Sequence, residues 1–210
     1  VLVDDIDGAK VITIRRPQAM NALNDELTDE ILVVLEKFAD DPAVKGFVIT
    51  GYGTAAFSAG ADIGRFPSML GDPEASAQYA RDCAKVQIFM DRMDKPVVAA
   101  LNGLAMGGGL EVAIRCHSIV AVKNAILQFP EITLGILPGI GGCVVPYRKW
   151  PRGAGLFNEM ICFGKPLSAK DAAGIGMVAA LAARGDLVGS GAHHRAKVLH
   201  VSGRRANDKA

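Results

Sequence analysis

The chain has 210 residues and half of them are apolar, which favours one domain with a sizeable core. Its 23 basic and 22 acidic residues leave a net charge of +1, so the charge balance predicts neither a nucleic-acid partner nor an anionic membrane surface. No apolar run approaches the roughly 18–20 residues that span a bilayer, and the acidic segment 1–7 does not resemble a signal peptide. The 4 cysteines are spread out without a CxxC pair, which predicts reduced, mostly buried thiols and a cytoplasmic protein.

Apolar spacing and capping residues predict strands and helices that alternate along the chain. In chain order the predicted elements are a strand at 9–14, a helix at 25–39, a strand at 46–50, a long helix from 73 to about 93, a strand at 96–101, a helix at about 110–116, a strand at 118–122, a helical stretch within 139–150 and a short helix after Ser168. Asn24 and Asp72 are the predicted N-caps of the first two helices, because their side-chain oxygens can accept from free helix amides. The glycine-rich stretch 51–64 is predicted to be mostly loop.

Strands that are apolar on both faces and alternate with helices indicate an α/β domain with a mostly covered sheet. From Ala182 onward the chain carries many basic residues and few large apolar ones, which is typical of a disordered or irregular terminus. We therefore expect a core domain over residues 1–181 and an atypical tail over residues 182–210.

Two glycine-rich turns follow predicted strands, at 57–62 (FSAGAD) and 106–111 (MGGGLE). Glycines let backbone N–H groups approach a ligand closely, and a turn that opens a helix leaves such groups free. Two turns of this kind can converge on one carbonyl oxygen as an oxyanion hole, in which each donor is worth about 2.7–4 kcal/mol in the transition state.

Phosphate binding is the competing interpretation of these glycines. The run 107–109 lacks the Lys-Ser/Thr pair of a P-loop, and no helix is predicted to open after Gly51 and Gly53, which weakens a dinucleotide site. His117 has no second ligand at metal-binding spacing, so no metal site is predicted.

Two glutamates stand in otherwise apolar surroundings, Glu111 at the start of a predicted helix and Glu131 after Phe129-Pro130. Glu111 could simply complement the helix dipole, and Glu131 could cap a helix or form a salt bridge. Alternatively, burial raises the pKa of both carboxyls, so that one holds a proton while the other is ionised. Such a pair could activate one water molecule by general acid–base catalysis, in which one carboxyl accepts a proton and the other donates one.

Four stretches together resemble the signatures of the enoyl-CoA hydratase/isomerase, or crotonase, superfamily. They are 16–23 (RPQAMNAL), 57–63 (FSAGADI), 102–111 (NGLAMGGGLE) and 129–142 (FPEITLGILPGIGG). With the stretch 167–178, the resemblance covers about residues 1–180. It implies a crotonase-like α/β fold, which is a spiral of ββα units with surrounding helices, assembled as a homotrimer or hexamer.

The resemblance also implies roles for individual residues. The backbone amides of Ala61 and Gly108 would hold a thioester oxygen, and Glu111 and Glu131 would position a water molecule and move its protons. The positions implied to line the substrate path, with Gly139 approaching the reacting centre through its backbone, are Gln18, Ala19, Met20, Asp62, Ile63, Gly64 and Gly139.

The resemblance implies an acyl-CoA thioester as the substrate, with coenzyme A as part of it and no permanently bound cofactor. It implies neither nucleic acid nor a membrane as a partner. Both glutamates together are typical of hydratases that add water to a 2-enoyl-CoA in fatty-acid or aromatic and cyclic acyl-CoA degradation. An enoyl-CoA isomerase or a cyclic-enoyl-CoA hydratase on the same scaffold is the alternative. The stretch 143–151 also resembles hydratase domains fused to 3-hydroxyacyl-CoA dehydrogenases.

Two departures from the family pattern are visible. Gly64 stands where many hydratases have a lysine, which concerns the phosphates of coenzyme A. The C-terminal helical region of the family, which packs on a neighbouring subunit, is not recognisable after Leu181. This second departure motivates an alternative from another class, an inactive acyl-CoA-binding or assembly subunit.

Overall fold

Two β-sheets form the framework of the computed structural model, which describes residues 1–69 and 71–194. The strands are β1 (Leu2–Ile6), β2 (Ala9–Ile14), β3 (Gly46–Gly51), β4 (Ala56–Ser58), β5 (Val97–Leu101), β6 (Leu104–Met106), β7 (Ser118–Val122), β8 (Ile126–Gln128), β9 (Leu167–Ser168) and β10 (Ala180–Ala182). The α-helices are α1 (Asp25–Ala39), α2 (Phe66–Met69), α3 (Pro73–Arg92), α4 (Gly107–Arg115), α5 (Val145–Lys149), α6 (Ala154–Phe163) and α7 (Ala169–Gly174), and residues 187–194 are also helical.

The larger sheet has the order β1-β2-β3-β5-β7-β10, and the smaller sheet has the order β4-β6-β8-β9. All neighbours in the larger sheet are parallel except β1 and β2, and in the smaller sheet only β9 is antiparallel to its neighbour. Three strands of the larger sheet, β3, β5 and β7, are each followed by a short strand of the smaller sheet and then by a helix, as in β5-β6-α4. The predicted α/β class with ββα units is therefore confirmed.

The central strands lie between covering layers, because every residue of β3 and β5 is buried. Their backbone amides find partners along the parallel ladder, and their Val, Ile, Ala and Phe side chains pack on both faces of the sheet. The predicted caps are confirmed as well. Asn24 accepts a hydrogen bond from the Leu27 amide, and Asp72 accepts one from the Ala75 amide.

Several elements escaped the sequence patterns, among them the strands β1, β4, β6, β8 and β10 and the helix α6. Segment 1–7 supplies the antiparallel edge strand β1, and its hairpin turn lies at Asp7 and Gly8, which both have positive φ angles. The predicted loop 51–64 contains β4, whose three residues are too few to show a periodicity. Helix α4 begins at Gly107 rather than near 110, because the glycine run itself forms its first turn.

The expectation of an irregular tail is wrong for residues 182–194. This segment completes β10, forms a 3-10 turn and becomes helical from residue 187. Leu187 and Ala192 are buried, and a Cβ added to Gly191 would lie 3.1 Å from a Val48 methyl group, so the helix packs directly on β3. Residues 195–210 lie outside the described part of the chain, and the boundary at residue 181 stays a prediction.

The expectation of mostly buried cysteines is also wrong, although none of the four cysteines, which all lie in the described part of the chain, forms a disulfide bond. Only Cys116 is buried, while Cys83 and Cys143 are half-buried and Cys162 is exposed. Within residues 1–69 and 71–194, no helix combines the length and the apolar character that a membrane crossing requires.

The first turn of α4 lies unusually close to β4. A Cβ added to Gly109 would lie 2.5 Å from the Cβ of Ser58 and 2.9 Å from its carbonyl oxygen, which is closer than atoms can approach. Only glycine therefore permits this helix to start against this strand.

We predict that Gly109→Ala lowers the free energy of unfolding by about 1–3 kcal/mol, because the buried backbone of β4 has to move away. The matched control is Gly155→Ala in α6, where an added Cβ meets no heavy atom within 4 Å. That change should be neutral or stabilising by up to ~1 kcal/mol, since alanine is the better helix former. Urea unfolding of both variants measures the difference, and equal stabilities would contradict the close packing.

Candidate active site

The two glycine-rich turns lie side by side because β4 and β6 are parallel neighbours in the smaller sheet. The carboxyl ends of both strands meet at one edge, where the chain continues as the turn after Ser58 and as the first turn of α4. A Cβ added to Gly108 would lie 3.5 Å from the backbone nitrogen of Ala61. The amides at these two positions are therefore neighbours in space although they are far apart in the sequence.

The Ala61 amide is left free by the pairing of its neighbours. Leu23 donates to the Gly60 carbonyl at 2.7 Å and accepts from the Asp62 amide at 2.8 Å, which skips the residue between them. Gly108 is the second residue of α4, and the amides of the first turn of a helix have no carbonyl acceptor within that helix. Within the described residues neither amide has an acceptor, and both are available to one oxygen atom.

Glu111 lies one turn inside α4 and is 2 % exposed. Its Oε1 atom accepts hydrogen bonds from the backbone amides of Ile140 and Gly142, both at 2.8 Å. Burial raises the pKa of Glu111, whereas these two amides and the nearby Arg115 guanidinium lower it. Complementing the helix dipole does not explain this residue, since the first turn of α4 contains no acidic group.

Glu131 begins the 3-10 turn Glu131–Leu134 and is 7 % exposed. Its Oε2 atom is buried and has no hydrogen-bond partner among the described residues. The side chain also forms no ion pair with any of these residues. Oε1 would lie 2.9 Å from a Cβ added to Gly107, so the carboxyl group packs against the glycine run. Burial, reinforced by the negative charge of Glu111, raises the pKa of Glu131 to about 7.

Both carboxyl groups and both free amides line one cavity of about 330 Å³. Of the sequence-predicted positions, the cavity brings together Ala61, Ile63, Gly108, Glu111, Glu131 and Gly139. Its other walls are largely apolar. The sequence patterns did not predict these wall residues at the site: Phe66, Tyr79, Ala80, Cys83, Leu134, Ile136, Leu137 and Ile140.

For some of these wall residues the sequence pattern predicts a helix position but not a place at the site. The helical spacing of Tyr79 and Cys83 predicts only that they share the inner face of a long helix, and in the structure this face of α3 borders the cavity. Leu134 and Leu137 are 50 % and 65 % exposed, which is unusual for leucine in a well-packed chain. Nothing in the sequence pattern indicated that the amides of residues 140 and 142 hold Glu111.

The remaining predicted positions lie beside the cavity rather than in its wall. Gln18 and Ala19 belong to the 3-10 turn Pro17–Ala19, and the carbonyl of Met20 accepts from the Ala59 amide at 3.0 Å. This bond places the turn next to the strand end that leads to Ala61.

Asp62 connects the same two segments through an ion pair. Its carboxylate lies 2.7 Å from the Arg16 guanidinium and accepts from the Gly64 amide at 3.1 Å. The hydrogen bond from Arg16 and that from the Gly64 amide lower the pKa of Asp62. Gln18, Met20 and Gly64 are exposed, so these residues form an open surface beside the site.

A family model described as enoyl-CoA hydratase/isomerase matches residues 6–206. The chain belongs to that family. A crotonyl-CoA hydratase of Syntrophomonas wolfei is 38 % identical over 184 residues, which cover 85 % of this chain and 67 % of the relative. A probable enoyl-CoA hydratase of Bacillus subtilis is 39 % identical over 173 residues, which cover 80 % of this chain and 63 % of the relative. The chain thus spans about two thirds of the length of these curated relatives.

The crystal structure of an enoyl-CoA hydratase from Bacillus anthracis superimposes with a TM-score of 0.84 at 28 % sequence identity. The superposition covers 94 % of this chain and 75 % of that structure. The crotonase-type fold that the motifs imply is therefore confirmed.

We predict that Glu131→Gln stabilises the fold at alkaline pH. The pKa of the folded carboxyl is raised above its ordinary value, so its contribution to stability is complete below pH ~4.5 and is lost as the pH rises through about 7. Glutamine resembles the protonated acid and escapes this loss. The melting temperature of the variant should exceed that of the wild type at pH 8, and the difference should shrink toward pH 5. Glu36→Gln, at an exposed site on α1, is the control. A difference that does not change with pH would contradict the raised pKa.

Proposed function

We propose that this protein is an enoyl-CoA hydratase, which adds water across the 2,3 double bond of a 2-enoyl-CoA thioester. The observation that carries the proposal is the meeting of two free amides and two unequally placed buried carboxyl groups in one cavity. The names of the relatives, crotonyl-CoA hydratase and probable enoyl-CoA hydratase, support the same reaction class.

The amides of Ala61 and Gly108 bind the thioester oxygen. Addition of water at C3 places negative charge on that oxygen as the enolate develops, and the amides are already oriented toward this position. Because the cavity is largely apolar, its dielectric constant is lower than that of water. The attraction between the two N–H donors and the negative oxygen is therefore stronger than it would be in water. Each donor contributes about 2.7–4 kcal/mol to the transition state.

The two glutamates divide the proton transfers. Glu111 accepts a proton from the attacking water, because the amides of residues 140 and 142 favour its ionised form. The hydroxyl then forms the new bond at C3. Glu131 holds a proton near neutral pH and delivers it to C2. The proton taken up by Glu111 then passes to Glu131, directly or through water, which restores the starting state. Because the groups interact, the measured pKa values belong to the pair.

Coenzyme A enters the proposal as part of the substrate, along the surface formed by the turn 17–20 and residues 62–64. No permanently bound cofactor is required for the reaction. We further propose a cytoplasmic homotrimer or hexamer. The exposed leucines beside the cavity support an assembly in which another segment covers them.

We predict that the protein hydrates crotonyl-CoA, with loss of the conjugated enoyl absorbance. Glu131→Gln and Glu111→Gln should each lower kcat by about 10²–10⁴ while leaving the dissociation constant of a saturated acyl-CoA nearly unchanged. Glu36→Gln should retain full activity. If folded protein causes no absorbance change, the hydratase proposal is wrong. Binding of the acyl-CoA without turnover would favour an inactive acyl-CoA-binding subunit.

The dependence of kcat/KM on pH should be bell-shaped in the hydration direction. The alkaline limb is expected near pH 7, where Glu131 loses its proton, and the acid limb should lie above the ordinary range of a glutamate because burial raises the pKa of Glu111. Stopped-flow or steady-state rates measured between about pH 4.5 and 9, a range in which we expect the protein to stay folded, define both limbs. An alkaline limb that persists unchanged in Glu131→Gln would assign it to another group.

The isomerase alternative predicts different products. A 3-enoyl-CoA would be converted to its 2-enoyl isomer without uptake of water, and a cyclic-enoyl-CoA hydratase would prefer ring substrates over crotonyl-CoA. Mass spectrometry of products formed in isotopically labelled water separates isomerisation from hydration, because only hydration adds the labelled oxygen. A comparison of kcat/KM for crotonyl-CoA and for a cyclic enoyl-CoA identifies a preference for ring substrates.

A further inference from the structure

Arg115 is a charged residue close to the site to which the motifs and the proposed reaction assign no role. It is the last residue of α4 and follows Glu111 by four positions, so both side chains lie on the same face of the helix. Its Nη1 atom lies 2.5 Å from Oδ2 of Asp91 on α3. The side chain is 28 % exposed, while Asp91 is 46 % exposed. The ion pair therefore joins the helix that carries Glu111 to its neighbour.

The guanidinium group also packs on the turn that holds Glu111. A Cβ added to Gly141 would lie 3.0 Å from Nη2 and 3.1 Å from Nε of Arg115, and Gly141 has a φ of +131°. A side chain at residue 141 would displace the guanidinium and strain the backbone. The residues on either side of Gly141 donate the two amide hydrogen bonds to Oε1 of Glu111.

A purely structural interpretation of Arg115 is available. A cation in the last turn complements the dipole of α4, and the pair with Asp91 could serve only to join the two helices. However, an ion pair with this much exposure contributes little to stability. The buried Nε atom also lacks an acceptor among the described residues, which is a cost.

We propose that Arg115, anchored by Asp91, is a positioning residue that fixes the turn 140–142 and keeps Glu111 ionised for its reaction with water. The assignment of Glu111 as the base rests on the proposed function. The effect on ionisation does not, because it follows from the position of the guanidinium. The positive charge of Arg115 opposes the upward effect of burial on the pKa of Glu111.

Other ionisable groups face this arrangement from the neighbouring elements. Glu131 and the half-buried thiol of Cys143 lie near Glu111, and Lys149 of α5 lies near Arg115. The ammonium group of Lys149 donates to the carbonyls of Ile114 and Cys116, so it is held at the end of α4. Asp91 is the acidic partner that α3 supplies.

The experiment is a carboxyl-carbon NMR titration of the protein labelled with ¹³C at the glutamate side chains. The Glu111 signal is assigned by its absence from Glu111→Gln. In Arg115→Gln the titration midpoint of Glu111 should rise by roughly half a pH unit or more, because the opposing charge is gone. Arg115→Lys should keep a midpoint closer to the wild type, since it retains the charge.

Two further variants separate positioning from general effects. Asp91→Asn retains the positive charge of Arg115 but removes its ionic partner, so any rise of the Glu111 midpoint should be smaller than in Arg115→Gln. Arg92→Gln removes an exposed positive charge next to Asp91 and should leave the midpoint unchanged. Thermal unfolding identifies any variant that has lost the fold.

A kinetic measurement completes the test. Arg115→Gln should shift the acid limb of kcat/KM upward and lower activity more at pH 6 than at pH 8, by up to about three-fold for a shift of half a pH unit. An unchanged Glu111 midpoint in folded Arg115→Gln would overturn the inference. A wild type that titrates as expected but hydrates no enoyl-CoA would instead refute the proposed function and leave the role of Arg115 in ionisation standing.

Discussion

The close approach of the first turn of α4 to the end of β4 is the constraint on which the site depends. Gly109 permits it, because any larger residue would overlap Ser58. This contact places the free amides of Ala61 and Gly108 next to each other, and it orients α4 so that Glu111 points toward the turn at residues 140–142. The two free amides and the proposed base are therefore positioned by one packing contact.

Burial then makes the two carboxyl groups unequal. Glu111 is paired with two amides and faces a guanidinium group, whereas Glu131 has an oxygen without a partner among the described residues and faces the charge of Glu111. Burial opposes ionisation at both positions, but the two amides and Arg115 counteract it at Glu111, whereas the charge of Glu111 reinforces it at Glu131. Leaving a buried carboxyl unpaired costs stability, and proteins retain such costs mainly where they support function.

Long, regular elements were predictable because their side chains repeat. The strand at 9–14 and the helix capped by Asn24 were predicted with nearly correct bounds, since period and cap point to the same structure. The three-residue strand β4 and the helix at 187–194 were missed. A short strand shows no period, and the helix near the end contains one glycine, Gly191, that packs on Val48, a contact between residues distant in the chain.

The sequence by itself determined the family, the α/β class and the two glutamates and two amides at the centre of the candidate site, because four motifs occur in the family order. Only the tertiary structure decided how these residues act on one another. It brought the turn at residues 140–142 to Glu111, left Glu131 without a described partner and placed Arg115 against Gly141. Each of these relations depends on distances between segments separated along the chain, and the proton affinity of a buried carboxyl depends on those distances.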